Sequence, residues 1–194
     1  ELELGLVGSE MCIRDSHCEI KIVDEKGNEV ETREVGEIIV RTTSNMVGYW
    51  NLPEETEKTL RSGWLYTGDA GFMDEDGYVY VHDRVKDMIV SGGENVYPAE
   101  VESAIFSHEM VSDVAVIGVP DERWGEAVKA LVVLKENCDT SEEDIINFAR
   151  EKIAGFKTPK SVDFIKELPR NPSGKILKKE LRKPYWEGFD RAIN

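Results

Sequence analysis

The sequence has few cysteines, few histidines and no long apolar run. Its three cysteines, Cys12, Cys18 and Cys138, lack the spacing of a metal site or a CxxC motif, and their odd number favours free thiols in a reducing compartment. The three histidines are scattered, which argues against a histidine-based metal site. No apolar run approaches the ~20 residues that cross a bilayer. We therefore expect a cytoplasmic protein without a transmembrane segment.

Basic charge is scarce over most of the chain. The 194 residues contain 24 Lys and Arg against 39 Asp and Glu, for a net charge of −15, which argues against a nucleic-acid-binding protein. Residues 151–194 differ, with 11 basic against 6 acidic side chains. A basic segment on an acidic body is typical of a protein that binds a small polyanion, such as a nucleotide or coenzyme A. A solvated helix face explains the same lysines equally well.

Residues 1–16 do not resemble the rest of the chain, because they have no clear hydrophobic period. The stretch from Gly5 to Ser16 is similar to a translated sequencing adapter. We expect these residues to be spurious or disordered, and they carry no prediction of fold. The alternative is a genuine divergent loop, and the upstream coding sequence distinguishes the two.

The remaining pattern predicts an α+β fold whose character changes near Lys86. Before it, alternating apolar residues separated by Asp- and Gly-rich turns predict hairpins. After it, helical and strand patterns are mixed. The predicted strands are 18–23, 36–41, 71–73, 78–81, 114–119, 128–134 and 161–165. The first predicted helix begins at Pro53, and the second covers Pro98–Phe106, with Val101, Ile105 and Phe106 roughly on one face. The third extends from a Ser141 cap to about Ile153, and the last covers Ile176–Arg182.

Two charged residues stand next to predicted strands, where side chains often meet ligands. Asp69 follows Gly68, and its carboxylate can accept two hydrogen bonds from vicinal ribose hydroxyls. Arg84 offers a planar fork of donors to ribose or phosphate. Each has a structural alternative: a turn aspartate that bonds backbone amides, and a surface ion pair of Arg84 with Asp83 or Asp87.

Lys86 and the Gly92-Gly93-Glu94 segment lie where the pattern changes. A residue at a boundary between domains can absorb backbone rotation, so Lys86 is a candidate hinge; it is otherwise a solvated lysine. The glycine pair permits positive φ or close approach of a ligand to the backbone. An ordinary turn accounts for the pair as well.

Two further candidates lie in polar loops. Trp124 is either a lid over a ligand or a packed anchor. Lys175 follows Gly174 in a loop stiffened by Pro169 and Pro172, which leaves its tip exposed. Such a lysine can act as a point charge on phosphate and carboxylate oxygens. The spacing is not that of a P-loop.

The order and spacing of four segments resemble the acyl-CoA synthetase branch of the adenylate-forming superfamily. These segments are Tyr66–Asp69, Asp83–Asp87, Ser91–Asn95 and Pro169–Lys175, and the resemblance covers residues 17–194. Many members have Gly directly before the arginine, where this chain has Asp83. Asp at this position occurs in some fatty-acyl branches. The resemblance implies that the β-rich end of a large AMP-binding domain (17–85) is followed by a small α+β lid domain (86–194).

The resemblance also implies roles. Asp69 would bind the ribose hydroxyls, Arg84 the ribose or phosphate, and Lys175 would bridge the substrate carboxylate and the α-phosphate of ATP. Lys86 would be the hinge of the lid. The face of Gly92, Gly93 and Glu94, together with Trp124, would line the pantetheine passage. Lys157 and Lys160 are weaker candidates for the coenzyme A phosphates.

The resemblance implies a ligase that forms acyl-AMP from a carboxylic acid, with a fatty acid as the expected substrate, and transfers the acyl group to coenzyme A. The phosphate loop, the acyl pocket and the ligands of the expected Mg²⁺ would lie outside this chain, so we expect the 194 residues alone to be inactive. The alternatives are a carrier-protein-loading adenylation domain, a luciferase-like oxygenase, and a non-catalytic module that binds nucleotide or coenzyme A.

Overall fold

The computed structural model describes residues 18–188, so the expectation for residues 1–16 lies outside the described part. The chain divides into two compact units between Val85 and Lys86. We call them unit 1 and unit 2 and describe each by itself. Among residues 18–188, no helix is long and apolar enough to span a membrane.

Unit 1 is a five-stranded antiparallel sheet with one short helix. The strands have the order β1–β2–β4–β3, and β5 pairs with β4. Its elements are β1 (Cys18–Val23), β2 (Gly36–Thr42), α1 (Pro53–Thr59), β3 (Leu60–Arg61), β4 (Trp64–Met73) and β5 (Val79–Arg84). The strands predicted in this region are confirmed, although β4 and β5 are longer than predicted.

An aspartate closes each of the two predicted turns of unit 1. Asp24 Oδ1 accepts hydrogen bonds from the backbone amides of Lys26 and Asn28. Asp74 Oδ1 accepts in the same way from Asp76 and Tyr78. A carboxylate that bonds amides two and four residues ahead stabilises a reversal of the chain. The turn chemistry read from the sequence is therefore confirmed.

Unit 2 has a five-stranded sheet with helices packed on both faces. β8 pairs with β9 as a long antiparallel hairpin, β10 pairs with β9 in parallel, and β6 links β9 to β7. Its elements are a 3₁₀ turn (Val85–Asp87, across the boundary), β6 (Ile89–Ser91), β7 (Glu94–Val96), α2 (Pro98–Phe106), β8 (Val111–Asp121), β9 (Gly125–Leu134), α3 (Glu142–Arg150), β10 (Ser161–Phe164) and α4 (Lys178–Trp186).

Strand β8 is buried on both faces. Val114 and Val116 belong to a core cluster with residues of α2 and α3. Ala115 and Ile117 belong to a second cluster, which also contains side chains of α4 and the segment before it. Successive strand side chains point to opposite faces, so a strand between two layers has an uninterrupted apolar sequence.

Two helix predictions need correction. Phe106 was expected on roughly the same face of α2 as Val101 and Ile105, which are buried, but 57% of its surface is exposed, and Ala104 is buried instead. Positions i, i+3 and i+4 share a helix face, whereas Phe106 lies five residues after Val101. Helix α3 ends at Arg150 rather than near Ile153. Its predicted cap is confirmed as a reciprocal pair of hydrogen bonds between Ser141 and Asp144.

Helix α4 also differs from its prediction over Ile176–Arg182. It begins at Lys178 and continues through Pro184 to Trp186. Ile176 forms a bridge with Arg170 and so belongs to the returning side of the preceding loop. Proline removes one helical hydrogen bond, but Tyr185 and Trp186 form hydrogen bonds to Asp163 and to the Gly118 carbonyl, which hold the last turn in place.

Candidate functional site

Asp69 and Arg84 form an ion pair across strands β4 and β5. They are register partners, and Arg84 Nε lies 2.8 Å from Asp69 Oδ1. Both side chains remain partly exposed, at 37% for Asp69 and 42% for Arg84. Beyond this contact, the Arg84 Nη groups are hydrogen-bond donors, and the second carboxylate oxygen of Asp69 is an acceptor.

Asp69 was expected next to a strand, and the structure places it inside one instead. It lies within β4, just after an irregularity at Gly68, where φ is +73°. There the Thr67 hydroxyl donates a 2.7 Å hydrogen bond to the Ile38 carbonyl, and the Gly68 amide donates to Glu37 Oε1. Side chains thus satisfy backbone groups where the ladder between β2 and β4 shifts register.

The partner of Arg84 also differs from the structural alternative, which named Asp83 or Asp87. Asp83 Oδ1 accepts the backbone amide of Arg84. Asp87 instead pairs with Arg182 Nη2 on α4, at 2.9 Å, and both side chains are largely buried. Lys86 lies in the 3₁₀ turn, between Asp83 and Asp87 in the sequence, and is exposed. The turn that contains the candidate hinge is therefore fastened to α4 by the residue that follows Lys86.

Gly92 and Gly93 form the turn between β6 and β7, with φ of +63° and +88°. The Gly92 amide donates a 2.8 Å hydrogen bond to the Trp124 carbonyl. A Cβ at Gly92 would lie 2.7 Å from Trp124 Cε3, whereas a Cβ at Gly93 would meet nothing within 4 Å. Glu94 is the first residue of β7 and is exposed. Gly92 therefore permits the close approach of the indole, and Gly93 leaves the outer side open.

Trp124 lies in the three-residue connection between β8 and β9, with basic groups near its ring. The Arg123 guanidinium carbon is 4.6 Å from the ring centroid, and Lys160 Nζ is 5.9 Å away. The structure therefore brings together Gly92, Trp124 and Lys160. Lys157 differs, because its Nζ contacts both carboxylate oxygens of Glu100, at 2.8 and 2.7 Å. Its charge is already balanced by that carboxylate.

Lys175 is exposed near the tip of a closed loop. Its amide donates a 2.8 Å hydrogen bond to Asn171 Oδ1, and its carbonyl accepts from the Asn171 amide. Gly174, with φ of +86°, makes the turn before it. Leu168, at the base of the loop, is buried in the second core cluster. The backbone of Lys175 is thus fixed, while its side chain stays exposed.

A second group of charges anchors α4 behind this loop. Lys129, which is buried, places Nζ 2.8 Å from Asp163 Oδ1, and the Tyr185 hydroxyl donates to Asp163 Oδ2. Burial and the neighbouring Asp163 carboxylate raise the pKa of Tyr185 to about 12. Burial acts to raise the pKa of Asp163 as well, but hydrogen bonds from Lys129 and Tyr185 outweigh it and hold that pKa below its ordinary value.

The described part of the chain, residues 18–188, contains no group of three or more His, Cys, Asp or Glu side chains placed to hold a metal ion. The ligands of the Mg²⁺ that the resemblance implies were expected outside this chain, and that stays a prediction.

Residues 100–175 match the family model described as the AMP-binding enzyme C-terminal domain. The chain is 48% identical to a fatty acid–[acyl-carrier-protein] ligase from Streptomyces coeruleorubidus. The match covers 90% of this chain and 34% of that protein. It is 50% identical to a long-chain-fatty-acid–CoA ligase from Bacillus subtilis, in a match that covers 81% of this chain and 28% of that protein. Over residues 100–175, this chain is similar to the AMP-binding enzyme C-terminal domain.

Solved structures of adenylate-forming ligases are similar to this chain as well. The o-succinylbenzoate CoA synthetase from Bacillus subtilis, in complex with its acyl-adenylate intermediate, matches with a TM-score of 0.80 and 40% identity over 86% of this chain and 34% of that one. ATP-bound MatB from Rhodopseudomonas palustris matches with a TM-score of 0.82 and 38% identity, over 90% of this chain and 35% of that one. The mixed α+β fold and the resemblance to acyl-CoA synthetases are confirmed.

The chain spans about a third of the length of the curated relatives it matches. Sequence reasoning missed the Asp69–Arg84 contact and the role of Arg182 in fastening the turn of Lys86. It also passed over Arg170, although this residue stands inside the loop segment that carried the resemblance. A charged residue among the prolines and glycine of that loop was the available signal.

Proposed function

We propose that this chain is the carboxyl-terminal part of an AMP-forming ligase that activates a carboxylic acid, a fatty acid in the leading case, and transfers it to coenzyme A. The observation that carries the proposal is the presentation of Lys175, an exposed cation on a backbone held by hydrogen bonds. Relatives named as long-chain-fatty-acid–CoA ligases support the substrate class.

In the first half-reaction, a carboxylate oxygen attacks the α-phosphorus of ATP, and the bond to the pyrophosphate leaving group breaks. The two reacting groups are both anionic, so a cation between them lowers the barrier. We assign that part to Lys175. Arg84 and Asp69 are assigned to the ribose: Asp69 accepts from its hydroxyls, and Arg84 donates to ribose or phosphate oxygens through the Nη groups.

In the second half-reaction, the thiol sulfur of coenzyme A attacks the acyl carbon, and the bond to AMP breaks. We assign the pantetheine passage to the turn of Gly92, Gly93 and Glu94 with Trp124. Lys160 beside the indole is the better placed cation for a coenzyme A phosphate, because Lys157 is occupied by Glu100. Rotation about Lys86 would exchange Lys175 for this face between the two steps.

Replacing Lys175 tests this assignment. In the ligase that contains this chain, we expect Lys175→Ala to lower ATP–pyrophosphate exchange by about 100- to 1,000-fold, since a positioned cation is lost from the transition state. Conversion of supplied acyl-adenylate to thioester should be retained. Lys166→Ala, another exposed lysine of unit 2, is the matched control. Equal loss in both half-reactions would refute the assignment of Lys175 to adenylation.

The 194-residue chain itself provides a second test. We expect it to catalyse no ATP–pyrophosphate exchange, because the phosphate loop and acyl pocket are proposed to lie outside it. Exchange by the purified chain would contradict its being part of a larger catalytic unit. A ligase lacking exchange even when the upstream sequence is present would favour a non-catalytic binding module.

An acyl carrier protein is the alternative thiol acceptor. It is favoured by the relative from Streptomyces coeruleorubidus, which is named as a fatty acid–[acyl-carrier-protein] ligase. Both acceptors present the same pantetheine thiol, so the assignment of Gly92, Gly93 and Trp124 is common to them. Supplying the ligase with acyl-adenylate and either coenzyme A or a pantetheine-loaded carrier protein distinguishes the two.

A further inference from the structure

Arg170 joins the loop of Lys175 to strand β8. Its Nη1 donates a 2.6 Å hydrogen bond to the carbonyl of Gly174, the residue before Lys175. Its Nη2 lies 2.6 Å from Asp113 Oδ2. Asp113 is itself oriented by the backbone, since its Oδ1 accepts the Val114 amide. One guanidinium group therefore spans from the loop tip to a strand of the central sheet.

The other hydrogen bonds of the loop are internal. Asn171 Oδ1 accepts from the Ser173 amide, the Ser173 hydroxyl and the Lys175 amide. These bonds define the shape of the turn, but they connect the loop only to itself. The base of the loop is held by Leu168, which is buried. The contact of Arg170 with Asp113 acts nearer the tip, where the orientation of Lys175 is set.

The geometry requires an arginine. Its guanidinium donates in two directions from one rigid plane, whereas a lysine ammonium is a point charge on a flexible stem. The Arg170 and Asp113 side chains are 44% and 30% exposed. An ion pair so exposed contributes little to global stability. Its effect is therefore local to the loop.

We propose that Arg170 is a positioning residue for Lys175, which acts by clamping the Gly174 carbonyl to Asp113. This proposal rests on the proposed function, because it presumes that Lys175 serves adenylate formation. A displacement of about 1 Å at a reacting group can cost about 100-fold in rate. Loosening the loop tip should therefore slow adenylation while leaving the thioester step, which does not use Lys175, unchanged.

The test uses variants of the ligase that contains this chain. We expect Arg170→Ala and Asp113→Ala each to lower kcat for ATP–pyrophosphate exchange by about 10- to 100-fold, with KM for ATP little changed. Arg170→Lys keeps the charge but cannot span both acceptors, so it should remain impaired. Arg41→Ala, which breaks the exposed ion pair with Glu19 in unit 1, is the matched control and should retain exchange.

Two outcomes would overturn the positioning role. Wild-type exchange in Arg170→Lys would show that charge alone matters. Impaired exchange in Arg170→Ala with normal exchange in Asp113→Ala would show that Arg170 contacts the substrate itself. Normal ATP–pyrophosphate exchange by the Lys175→Ala ligase would contradict the proposed function. Impaired exchange by Lys175→Ala together with normal exchange by Arg170→Ala would contradict only the clamp.

A readout without catalysis tests the same contact in the 194-residue chain. We expect faster deuterium uptake over residues 170–177 in Arg170→Ala and in Asp113→Ala, because the clamp restrains that backbone. Uptake in Arg41→Ala should match that of the unmodified chain over the same residues. Unchanged uptake in Arg170→Ala would contradict the clamp whatever the kinetics show.

Discussion

The ion pair of Asp69 and Arg84 makes these two candidate ligands of ribose dependent on each other. Arg84 uses Nε on Asp69, so the arginine plane is oriented by the carboxylate beside it. Removing either side chain alters the other, and single substitutions will not report separate contributions. This coupling follows from the irregular register of β4, where the positive φ of Gly68 precedes Asp69 and sets it opposite Arg84.

The two glycines of the β6–β7 turn predict different costs of substitution. We expect Gly92→Ala to lower the free energy of unfolding of unit 2 by about 2–4 kcal/mol, because a positive φ and a clash with the Trp124 ring act together. Gly93→Ala meets no neighbour, so strain at positive φ alone should cost about 1 kcal/mol. Urea unfolding of the two variants measures the difference. Equal losses would show that the indole yields without cost.

Sequence patterns predicted the conformations of single residues better than the contacts between them. The Gly92-Gly93 pair indicated positive φ, and the structure has it at both positions. The contact of Arg170 with Asp113 joins residues 57 positions apart. Its prediction requires knowing that the loop returns beside β8, which no local propensity encodes. The functional roles of these residues stay predictions.

At the scale of elements, helix α4 connects the loop of Lys175 to the turn of Lys86. It begins shortly after the loop, and polar contacts fasten it along its length. These are Lys178 with Glu102, Arg182 with Asp87, Tyr185 with Asp163, and Trp186 with the Gly118 carbonyl. A helix held at several points moves as one body with its sheet, so the loop and the turn are mechanically linked within unit 2.

The Tyr185–Asp163 hydrogen bond predicts a loss of stability in alkali. The pKa of Tyr185 is raised to about 12 in the folded protein, against about 10 in the unfolded chain. Its contribution is complete below about pH 10 and is lost as the pH rises from about 10 to about 12, since the unfolded chain releases the proton first. The difference in unfolding free energy between the unmodified chain and Tyr185→Phe should shrink across that range.

Urea unfolding near pH 8 and above pH 11 measures this difference. Tyr49→Phe is the control, because Tyr49 is exposed and its substitution should have the same small effect at both pH values. A Tyr185→Phe difference that does not change with pH would show that the hydroxyl is not held by Asp163 in solution.

The boundaries of helices were predicted wrongly from the sequence where tertiary contacts override local preference. Helix α4 was expected to end at Arg182, yet it continues through Pro184 to Trp186, because Tyr185 and Trp186 find partners on the sheet. Phe106 was grouped with Val101 and Ile105 on one face of α2, but it is exposed whereas they are buried. The strands and the cap at Ser141 were predictable, because alternation and capping are local signals.

At the scale of the molecule, apolar burial is unequally divided between the two units. Among the described residues, five buried apolar side chains lie in unit 1, whereas twenty lie in unit 2. The five are Ile22, Val23, Ile38, Ile39 and Ala70. Because buried apolar area is the main source of folding free energy, we expect unit 2 to be the more stable part of this chain.

Hydrogen exchange of the 194-residue chain tests that inequality. We expect the slowest amides in β8 and β9, whose side chains are covered on both faces, and faster exchange in β1 and β2. In urea, unit 1 should lose protection at a lower concentration than unit 2. A single transition with equal protection in both units would contradict the expectation.

The β8–β9 hairpin has a consequence for the order of events during synthesis. Its strands are joined by three residues, so it closes through local contacts and can form early. Translation proceeds from the amino terminus, so we expect Asp113 and its strand to leave the ribosome before residues 170–175 do. The loop of Lys175 is then the last of these pieces to emerge, so the contact of Arg170 with Asp113 can form only after that strand is available.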